Sequence, residues 1–361
     1  MKASIPRIVL RTALGAAGCA YASLVLLPGS ALASWLSRIP LVAQAIAFPS
    51  IAAAGTVLAV AAALLGGLLA RRVEGPRAGG GQRAAKGGGP RPARRGPTGF
   101  ALACSALFAV PSLILAASPG FGIASARGES LSSTSSAAVS VIAWNAAGRA
   151  GPEEIRDLLD GRDPDVIVLP EYRDGGEAGA RRLAGMLAAS GRDPRNYSVF
   201  SSPTDPAYDP TTVVIHKRLG EYRAAGGIAT TFGSLTLRPS DPAKPTIVAV
   251  HTAPPVPGLM GRWRRDLDEV RAYMDRERGR AILAGDFNAT LRHGGLGSSP
   301  RWADALASAG SREGTWPSSL PAALASPIDH VFVNSGASVV SAEVIGLGGS
   351  DHNAVAARVA F

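Results

Sequence analysis

The chain has 361 residues, a mean hydropathy of +0.16 and a formal net charge of +10. The basic excess lies in the first 137 residues, which hold 13 Lys/Arg against two acids, so the rest of the chain is near neutral. Because this excess adjoins apolar stretches, it favours membrane topology over nucleic-acid binding, and the two cysteines, both within those stretches, exclude a disulfide framework for the remainder.

Residues 1–123 are predicted to form a membrane region. Three long uncharged stretches each exceed the roughly 20 residues that a helix needs to cross a bilayer. They predict transmembrane helices over about 12–33, 43–69 and 99–117. The Gly-, Pro- and Arg-rich segment 71–97 carries eight Lys/Arg against one acid and is predicted to be a disordered loop.

Charge also predicts an orientation. Basic residues stay on the cytoplasmic side, which places the N-terminus and the basic loop there. Three crossings then make the chain a multi-pass protein of the cell (plasma) membrane, with an extracellular C-terminal domain after a Ser-rich linker, 124–137. The tripeptide Ala31-Leu32-Ala33 leaves open that the first span is a cleaved signal peptide. Both alternatives place the C-terminal domain outside.

Residues 138–361 change in texture and are predicted to form the catalytic domain. Short apolar, β-branched runs alternate with amphipathic stretches, which indicates an α/β or α+β fold. Helices are predicted after Pro152, over 176–190 and over 262–278. Strands are predicted over Val139–Trp144, Asp165–Leu169, Thr212–Ile215, Thr246–Val250, Ala281–Ala284, Ile328–Val333 and Ala354–Val359.

Polar residues follow directly on these strands. Single examples are usually turns or helix caps, but here they recur in order along the whole domain. Carboxylate, amide and imidazole groups together are typical of a hard-metal site with acid and base groups. The residues concerned are Asn145, Glu171, His251, Asp286, Asn288, Asp329, Asp351 and His352.

The ordered set resembles the endonuclease/exonuclease/phosphatase superfamily, which includes exonuclease III-like nucleases and deoxyribonuclease I. The sharpest elements are Gly285-Asp286-Phe287-Asn288 and Ser350-Asp351-His352, with Asp329-His330 between them. The resemblance covers nearly all of residues 139–361. It implies a four-layer αββα sandwich, deoxyribonuclease I-like, with the site at one end of two mainly antiparallel sheets.

The resemblance also implies roles for the residues. Glu171 would be the principal ligand of Mg²⁺ (or Mn²⁺), with Asn145 and Asp351 as further metal-site residues. Asn145, Asn288 and His251 would contact the phosphate. Asp286 would orient or deprotonate the attacking water, which Asn288 would help to hold.

His352, held by Asp329, would contact the phosphoryl group. The family's mid-domain catalytic Tyr and Arg have no clear counterpart, and Tyr197, Tyr208 and Arg223 are candidates by position only. His216 and His293 are interpreted as residues without a catalytic role.

The expected protein is a membrane-anchored, metal-dependent hydrolase of phosphate esters, a nuclease-like phosphodiesterase that uses in-line attack by water. The alternatives are a lipid or inositol-phosphate phosphodiesterase or phosphatase, and a catalytically silent envelope binding module. Candidate substrates are a nucleic acid, a lipid headgroup or a small phosphodiester. The sequence indicates no obligate protein partner.

Overall fold

The computed structural model describes residues 5–48, 50–52, 54–55, 57–59, 61–62, 65–66, 97–117, 138–203, 207–334 and 336–361. The N-terminal part contains helices α1 (Ile5–Leu26), α2 (Ala31–Leu36), α3 (Val42–Ala47) and α4 (Pro97–Ala117). The predicted basic loop, apart from Pro97, and the predicted Ser-rich linker lie outside the described residues.

The C-terminal part contains helices α5 (Pro152–Leu159), α6 (Gly176–Ala189), α7 (Met260–Arg276) and α8 (Ala305–Ser308). Its strands in chain order are β1 (Ala138–Ala143), β2 (Val166–Leu169), β3 (Tyr197–Ser201), β4 (Thr212–His216), β5 (Tyr222–Ala225), β6 (Leu235–Pro239), β7 (Thr246–His251), β8 (Ala281–Asp286), β9 (Trp302–Asp304), β10 (Asp329–Asn334), β11 (Ser338–Ile345) and β12 (Ala354–Ala360).

The described strands form two six-stranded sheets. Sheet I has the order β11-β12-β1-β2-β4-β3, and sheet II has the order β5-β6-β7-β8-β10-β9. The β1–β2 and β7–β8 pairs are parallel, and the other paired strands are antiparallel. The parallel pairs deliver the ends of β1 and β2, and of β7 and β8, to the same edge of their sheets.

Strand β8 shows how the layers arise. Ile282 and Ala284 lie in the core between the two sheets, whereas Ala281 and Leu283 lie in the apolar cluster beneath α7. Successive side chains of a strand point to opposite faces, so a fully apolar strand must be covered on both sides. Sheet II therefore needs a helix on its outer face as well as sheet I on its inner face.

Sheet I is covered in the same way by α5 and α6. Ile142 and Ile167 from the outer face of this sheet share a cluster with Ile155 and Leu158 of α5 and with Leu183 of α6. The result is helices, sheet I, sheet II and α7 in four layers. Two mixed sheets with helices outside agree with the predicted α/β (α+β) four-layer αββα sandwich.

Within the part of the chain that the structure describes, no helix has both the length and the apolar character required to cross a membrane. The predicted span 12–33 is divided, because α1 ends at Leu26 and a turn with Pro28 and Gly29 precedes α2. Proline after a helix and glycine in a turn both oppose a continuous helix there.

The predicted span 43–69 begins inside a short helix, since α3 ends at Ala47. Part of that span lies outside the described residues. The predicted span 99–117 coincides with most of α4, which contains Pro111. Apolar residues of α2 and α3 are used differently from the prediction: Ala33 and Ala43 are buried, and Ala43 belongs to the cluster beneath α7.

Candidate active site

The candidate site lies where several strands end at one end of the sandwich. In sheet II the register places Asp286 of β8 opposite both His251 of β7 and Asp329 of β10. In sheet I, Asn145 follows β1 and Glu171 follows β2, and these two strands are parallel. Parallel strand ends meet at one edge, so the topology itself brings residues from distant parts of the sequence together.

Asn145 connects the two sheets. Its side-chain Nδ2 donates to Glu171 Oε1 at 3.1 Å and to Asp286 Oδ2 at 3.0 Å. Its Oδ1 accepts from the Ala147 backbone N–H at 3.0 Å, which determines the orientation of the amide. One buried amide therefore holds a carboxylate from each sheet at hydrogen-bond distance.

Glu171 has a strained backbone, with φ of 51°. A non-glycine residue in the left-handed region costs on the order of 1–2 kcal/mol, and such residues cluster at functional sites. Neighbouring hydrogen bonds hold the turn: Gly148 N–H donates to Glu171 O at 2.8 Å, and Tyr172 N–H donates to Pro210 O at 3.0 Å. The strained turn leaves the Glu171 side chain 38% exposed, so that its carboxylate is accessible at the site.

The Gly285–Asn288 turn positions Asp286. Gly285 has φ of 138°, and a Cβ there would lie 2.1 Å from Val250 O, so only glycine fits. Asn288 N–H donates to Asp286 Oδ1 at 2.7 Å. From α7, the indole of Trp263 donates to Asn288 O at 3.0 Å, which fixes the turn to a helix.

His352 is paired with Asp329 and held by its backbone. Its Nδ1 lies 2.8 Å from Asp329 Oδ2, and its Nε2 lies 3.9 Å from Asp286 Oδ2. The carbonyl of His352 accepts from the Trp144 indole at 3.1 Å. Its N–H donates to Ser350 Oγ at 3.1 Å, and that hydroxyl donates to Asn145 O at 2.7 Å.

The charges of this cluster follow from burial and pairing. Burial lowers the pKa of His352, but attraction to Asp329 and the hydrogen bond with it outweigh burial and raise that pKa to about 10. Burial and the charge of Asp329 raise the pKa of Asp286. His352 is therefore an imidazolium at neutral pH, and Asp286 takes up a proton at a higher pH than an ordinary carboxylate does.

His251 is buried beside the Phe232 backbone, and its Nε2 has no hydrogen-bond partner among the described residues. Its Nε2 lies 3.5 Å from Glu171 Oε1 and 3.8 Å from Asp286 Oδ2. Burial and the charge of His352 lower the pKa of His251 to about 3, so the ring is neutral. A buried Nε2 without a hydrogen-bond partner, close to two carboxylates, indicates a binding site for a further group.

Asp351 does not join the other predicted ligands. It is exposed, and its Oδ2 accepts from the Trp316 indole at 3.0 Å. Trp316 is a site residue that the sequence analysis did not identify, and its ring lies 6.4 Å from that of His352. A tryptophan in an irregular loop has no sequence signal for such a role.

Of the mid-domain candidates, Tyr208 lies nearest the site. Its ring packs at 4.3 Å on Phe232, whose ring lies 5.1 Å from that of His251. Arg262 of α7 donates to the Tyr208 hydroxyl at 3.4 Å. Tyr197 is instead buried against His216. Arg223 is exposed on β5, which is one of the two edge strands of sheet II.

The remaining histidines lie outside the cluster. His216 caps a turn after β4, where its Nδ1 accepts from Arg218 N–H. His293 is buried between Thr290 and Ala43, and His330 is buried between Asp304 and Ala289. Both buried rings have partners at each nitrogen, as structural histidines do.

Two overlapping groups of side chains have the composition of a metal site. Within the described residues, Asp286, Asp329 and His352 offer ligand atoms that all lie within 4.8 Å of one another. The second group is Glu171, Asn145 and Asp286, joined by the Asn145 amide. Acidic oxygens in both groups are ligands that divalent cations prefer.

Several solved structures are similar to part of this chain at low sequence identity. An endonuclease/exonuclease/phosphatase from Beutenbergia cavernae DSM 12333 is 20% identical with a TM-score of 0.43, covering 62% of this chain and 72% of that chain. TDP2 of D. rerio, complexed with single strand DNA product, is 17% identical with a TM-score of 0.47, covering 62% and 99%. The mannosyl-6-phosphatase Bt3783 of Bacteroides thetaiotaomicron VPI-5482 is 15% identical with a TM-score of 0.46, covering 62% and 100%.

No curated protein matches the sequence. The sequence model of the Endonuclease/Exonuclease/phosphatase family matches residues 142–352, which is more than half of the chain. The match begins within β1 and ends at His352, so it includes every residue of the cluster described above. The chain therefore belongs to the Endonuclease/Exonuclease/phosphatase family.

Proposed function

We propose that this protein is a metal-dependent phosphodiesterase that hydrolyses its substrate by direct attack of water. The observation that carries the proposal is the contact of one amide, Asn145, with a carboxylate from each sheet, beside the charged pair of His352 and Asp329. A phosphodiester is anionic, and hydrolysis needs both a base for water and positive charge on the phosphoryl oxygens.

The cluster fits a divalent cation. Glu171, Asp286 and Asp329 bring three carboxylates together. Among the described residues, the cationic side chain that pairs with two of them, Asp286 and Asp329, is His352. We assign the metal to the Glu171 and Asn145 side, because Asp329 Oδ2 and His352 Nδ1 are already engaged with each other at 2.8 Å. A bound Mg²⁺ or Mn²⁺ would offset the substrate's negative charge and lower the pKa of water.

Asp286 is the proposed base. It is held by Asn145 and by the N–H of Asn288, and its raised pKa suits proton uptake near neutral pH. Asn288 Nδ2 also contacts Asp286 Oδ2 at 3.2 Å, so the Asn288 side chain can orient a water beside that carboxylate.

The two histidines bind the phosphoryl group. His352 carries a positive charge and stabilises negative charge as it develops on the oxygens, while Asp329 keeps the ring oriented. His251 has a free ring nitrogen 3.5 Å from Glu171, and as a neutral imidazole it can donate one hydrogen bond to a phosphate oxygen or to the leaving group.

The test uses the full chain with Mg²⁺ or Mn²⁺ and a panel of substrates. The panel holds single-stranded DNA, plasmid DNA, RNA, sphingomyelin, inositol phosphates and bis-p-nitrophenyl phosphate. We expect at least one member to be cleaved, and we expect turnover to vanish with EDTA and to fall by about 10³-fold or more in Asp286→Asn and His352→Gln.

His216→Gln is the matched control, because His216 is a histidine outside the cluster whose loss should leave turnover near that of the unmodified chain. Absence of turnover with every substrate, from a folded chain in either metal, would contradict the proposal. Full activity of Asp286→Asn would remove Asp286 from the mechanism.

The location of the enzyme stays a prediction from the sequence. None of the described helices has the length and apolar character of a membrane span. Protease accessibility of the C-terminal domain in intact cells tests the predicted extracellular placement. Protection of that domain until the cells are opened would contradict it.

A further inference from the structure

Residues 37–48 of the N-terminal part pack against the family domain. Ser37 and Ala43 are fully buried there. Gly294 N–H donates to Ser37 Oγ at 2.9 Å, and His293 Nε2 contacts Ala43 O at 2.9 Å. Buried polar contacts with this geometry define one packed arrangement of the segment on the domain.

Surface contacts extend the interface along α7 and the loop before it. Arg38 pairs with Asp268 at 2.5 Å, and Arg264 donates to Arg38 O at 2.9 Å. Gln44 donates to the carbonyl of Pro255. The segment thus follows the outside of sheet II toward the end of the sandwich where the site lies.

This path places Phe48 beside Trp316. The Phe48 ring lies 5.9 Å from the Trp316 ring, and just beyond it Ser50 Oγ donates to Ala323 O at 2.8 Å. Trp316 in turn lies 6.4 Å from His352 and is oriented by its hydrogen bond to Asp351. Phe48 and Trp316 are only partly buried, so part of their surface is accessible to a ligand.

A second aromatic pair borders the other histidine. Tyr208 and Phe232 pack at 4.3 Å, and Phe232 adjoins His251 at 5.1 Å. The two histidines that we assign to the phosphoryl group therefore each have an aromatic pair beside them. A phosphodiester carries one organic substituent on each of two ester oxygens, whereas a monoester carries only one.

Aromatic rings bind flat partners through their faces, and base stacking on such side chains contributes about 1–3 kcal/mol per base. We propose that Phe48 and Trp316 form a stacking subsite for a nucleobase attached through one ester oxygen of the scissile phosphodiester. This rests on the proposed phosphodiesterase function. Phe48 would then be a specificity-determining residue. It lies outside residues 142–352, the part of the chain that the family match covers.

The test compares three probes on the full chain with Mn²⁺. One is thymidylyl-thymidine, with a base on both sides of the phosphodiester, and the others are its two analogues in which one nucleoside is abasic. In Phe48→Ala we expect KM for thymidylyl-thymidine to rise about tenfold with kcat changed by less than about twofold, because one stacking contact is lost.

For the abasic analogue that lacks the base seated on Phe48, we expect the KM of Phe48→Ala to equal that of the unmodified chain. Phe48→Tyr keeps the ring and should restore KM, whereas Phe48→Leu keeps an apolar side chain without the ring and should not. The Leu and Tyr pair keeps the comparison valid if Phe48→Ala does not fold.

Equal KM values for thymidylyl-thymidine in Phe48→Leu and Phe48→Tyr would overturn the subsite while leaving the hydrolase in place. Cleavage of sphingomyelin but not of thymidylyl-thymidine by the unmodified chain would likewise overturn it, and would indicate a lipid substrate instead. Absence of turnover of any phosphodiester would refute the proposed function, and the subsite with it.

Discussion

Two buried histidine–aspartate pairs of equal geometry differ in what the second ring nitrogen meets. His352 and Asp329, and His330 and Asp304, both have an Nδ1 to Oδ2 distance of 2.8 Å. His330 Nε2 contacts Ala289 O at 2.9 Å, so both ring nitrogens of His330 have partners within the protein. His352 Nε2 points toward Asp286 at 3.9 Å and remains available to substrate.

We predict that Asp329→Asn lowers kcat on bis-p-nitrophenyl phosphate by about 100-fold, because the His352 ring loses its charged partner. Loss of that charge lowers the pKa of His352. Because the proposed mechanism uses the His352 imidazolium, the alkaline limb of the profile of kcat against pH should move to lower pH.

Asp304→Asn is the control for the loss of a buried pair. It should lower the free energy of unfolding through the His330 pair and the cap that Asp304 provides to α8, with kcat unchanged. Parallel losses of kcat in the two variants would indicate a general structural effect, and not a role for Asp329 in the site.

At the scale of elements, the turn after β8 joins the N-terminal helices to the sandwich. His293 of this turn is buried, with Nδ1 accepting from Thr290 N–H at 2.8 Å and Nε2 at 2.9 Å from the carbonyl oxygen of Ala43 in α3. Burial lowers the pKa of His293 to about 4, so the folded chain holds the ring neutral.

This pKa predicts a pH dependence of stability. Between about pH 6.5 and the folded value, the unfolded chain binds a proton at His293 and the folded chain does not, so stability falls as pH falls. The full difference corresponds to about 3 kcal/mol. We expect the free energy of unfolding to drop less steeply between pH 6.5 and 4.5 in His293→Gln than in the unmodified chain.

Denaturant unfolding at several pH values measures these slopes. His251 is buried and neutral as well, but it is present in both chains, so the difference between them isolates His293. Identical slopes in the two chains would mean that His293 takes up its proton in the folded chain. That result would contradict the prediction drawn from its buried contact with Ala43.

At the scale of the molecule, the site joins the two sheets through acidic groups from both. Glu171 follows a strand of sheet I, and Asp286 and Asp329 belong to sheet II. Bringing these carboxylates together costs electrostatic free energy, which a bound divalent cation would offset. A cation bound only by the folded chain must raise its stability.

We therefore predict that saturating Mn²⁺ raises the midpoint of thermal unfolding by about 5 °C, and that EDTA reverses the change. Glu171→Gln keeps the shape of the side chain and removes one charge, so its metal-dependent rise should be smaller. The comparison is made at constant ionic strength. An equal rise in Glu171→Gln would place the metal elsewhere in the cluster.

The strands that carry the site were predictable from local sequence. Strong apolar runs such as Thr246–Val250 and Ala281–Ala284 were placed to within one or two residues of β7 and β8. The predicted helix 262–278 corresponds to α7, which begins at Met260 and ends at Arg276. Buried strands are recognisable as continuous apolar runs, and amphipathic helices by the spacing of their apolar residues. The strands β5 and β9 lie at sheet edges and have weaker sequence patterns.

Hydropathy predicted the N-terminal helices less well. It measures the apolar content of a stretch but not whether that stretch is one helix or what it packs on. Ala43 is buried against protein, in the apolar cluster beneath α7. Pro28 and Gly29 divide a stretch that hydropathy treats as continuous. Burial against protein and burial in lipid select the same residues, so composition alone does not separate them.

By itself, the sequence indicated an α/β or α+β domain with polar residues at its strand ends, because these depend on short-range pattern, and its resemblance to a known family added the four-layer sandwich. Only the tertiary structure decided which of those residues meet: Asn145 contacts Glu171 and Asp286, whereas Asp351 turns to Trp316. It also brought Phe48 beside Trp316. The physical reason is that loop paths and packing between distant segments are decided by the total burial and hydrogen bonding of the folded chain, which no local pattern encodes.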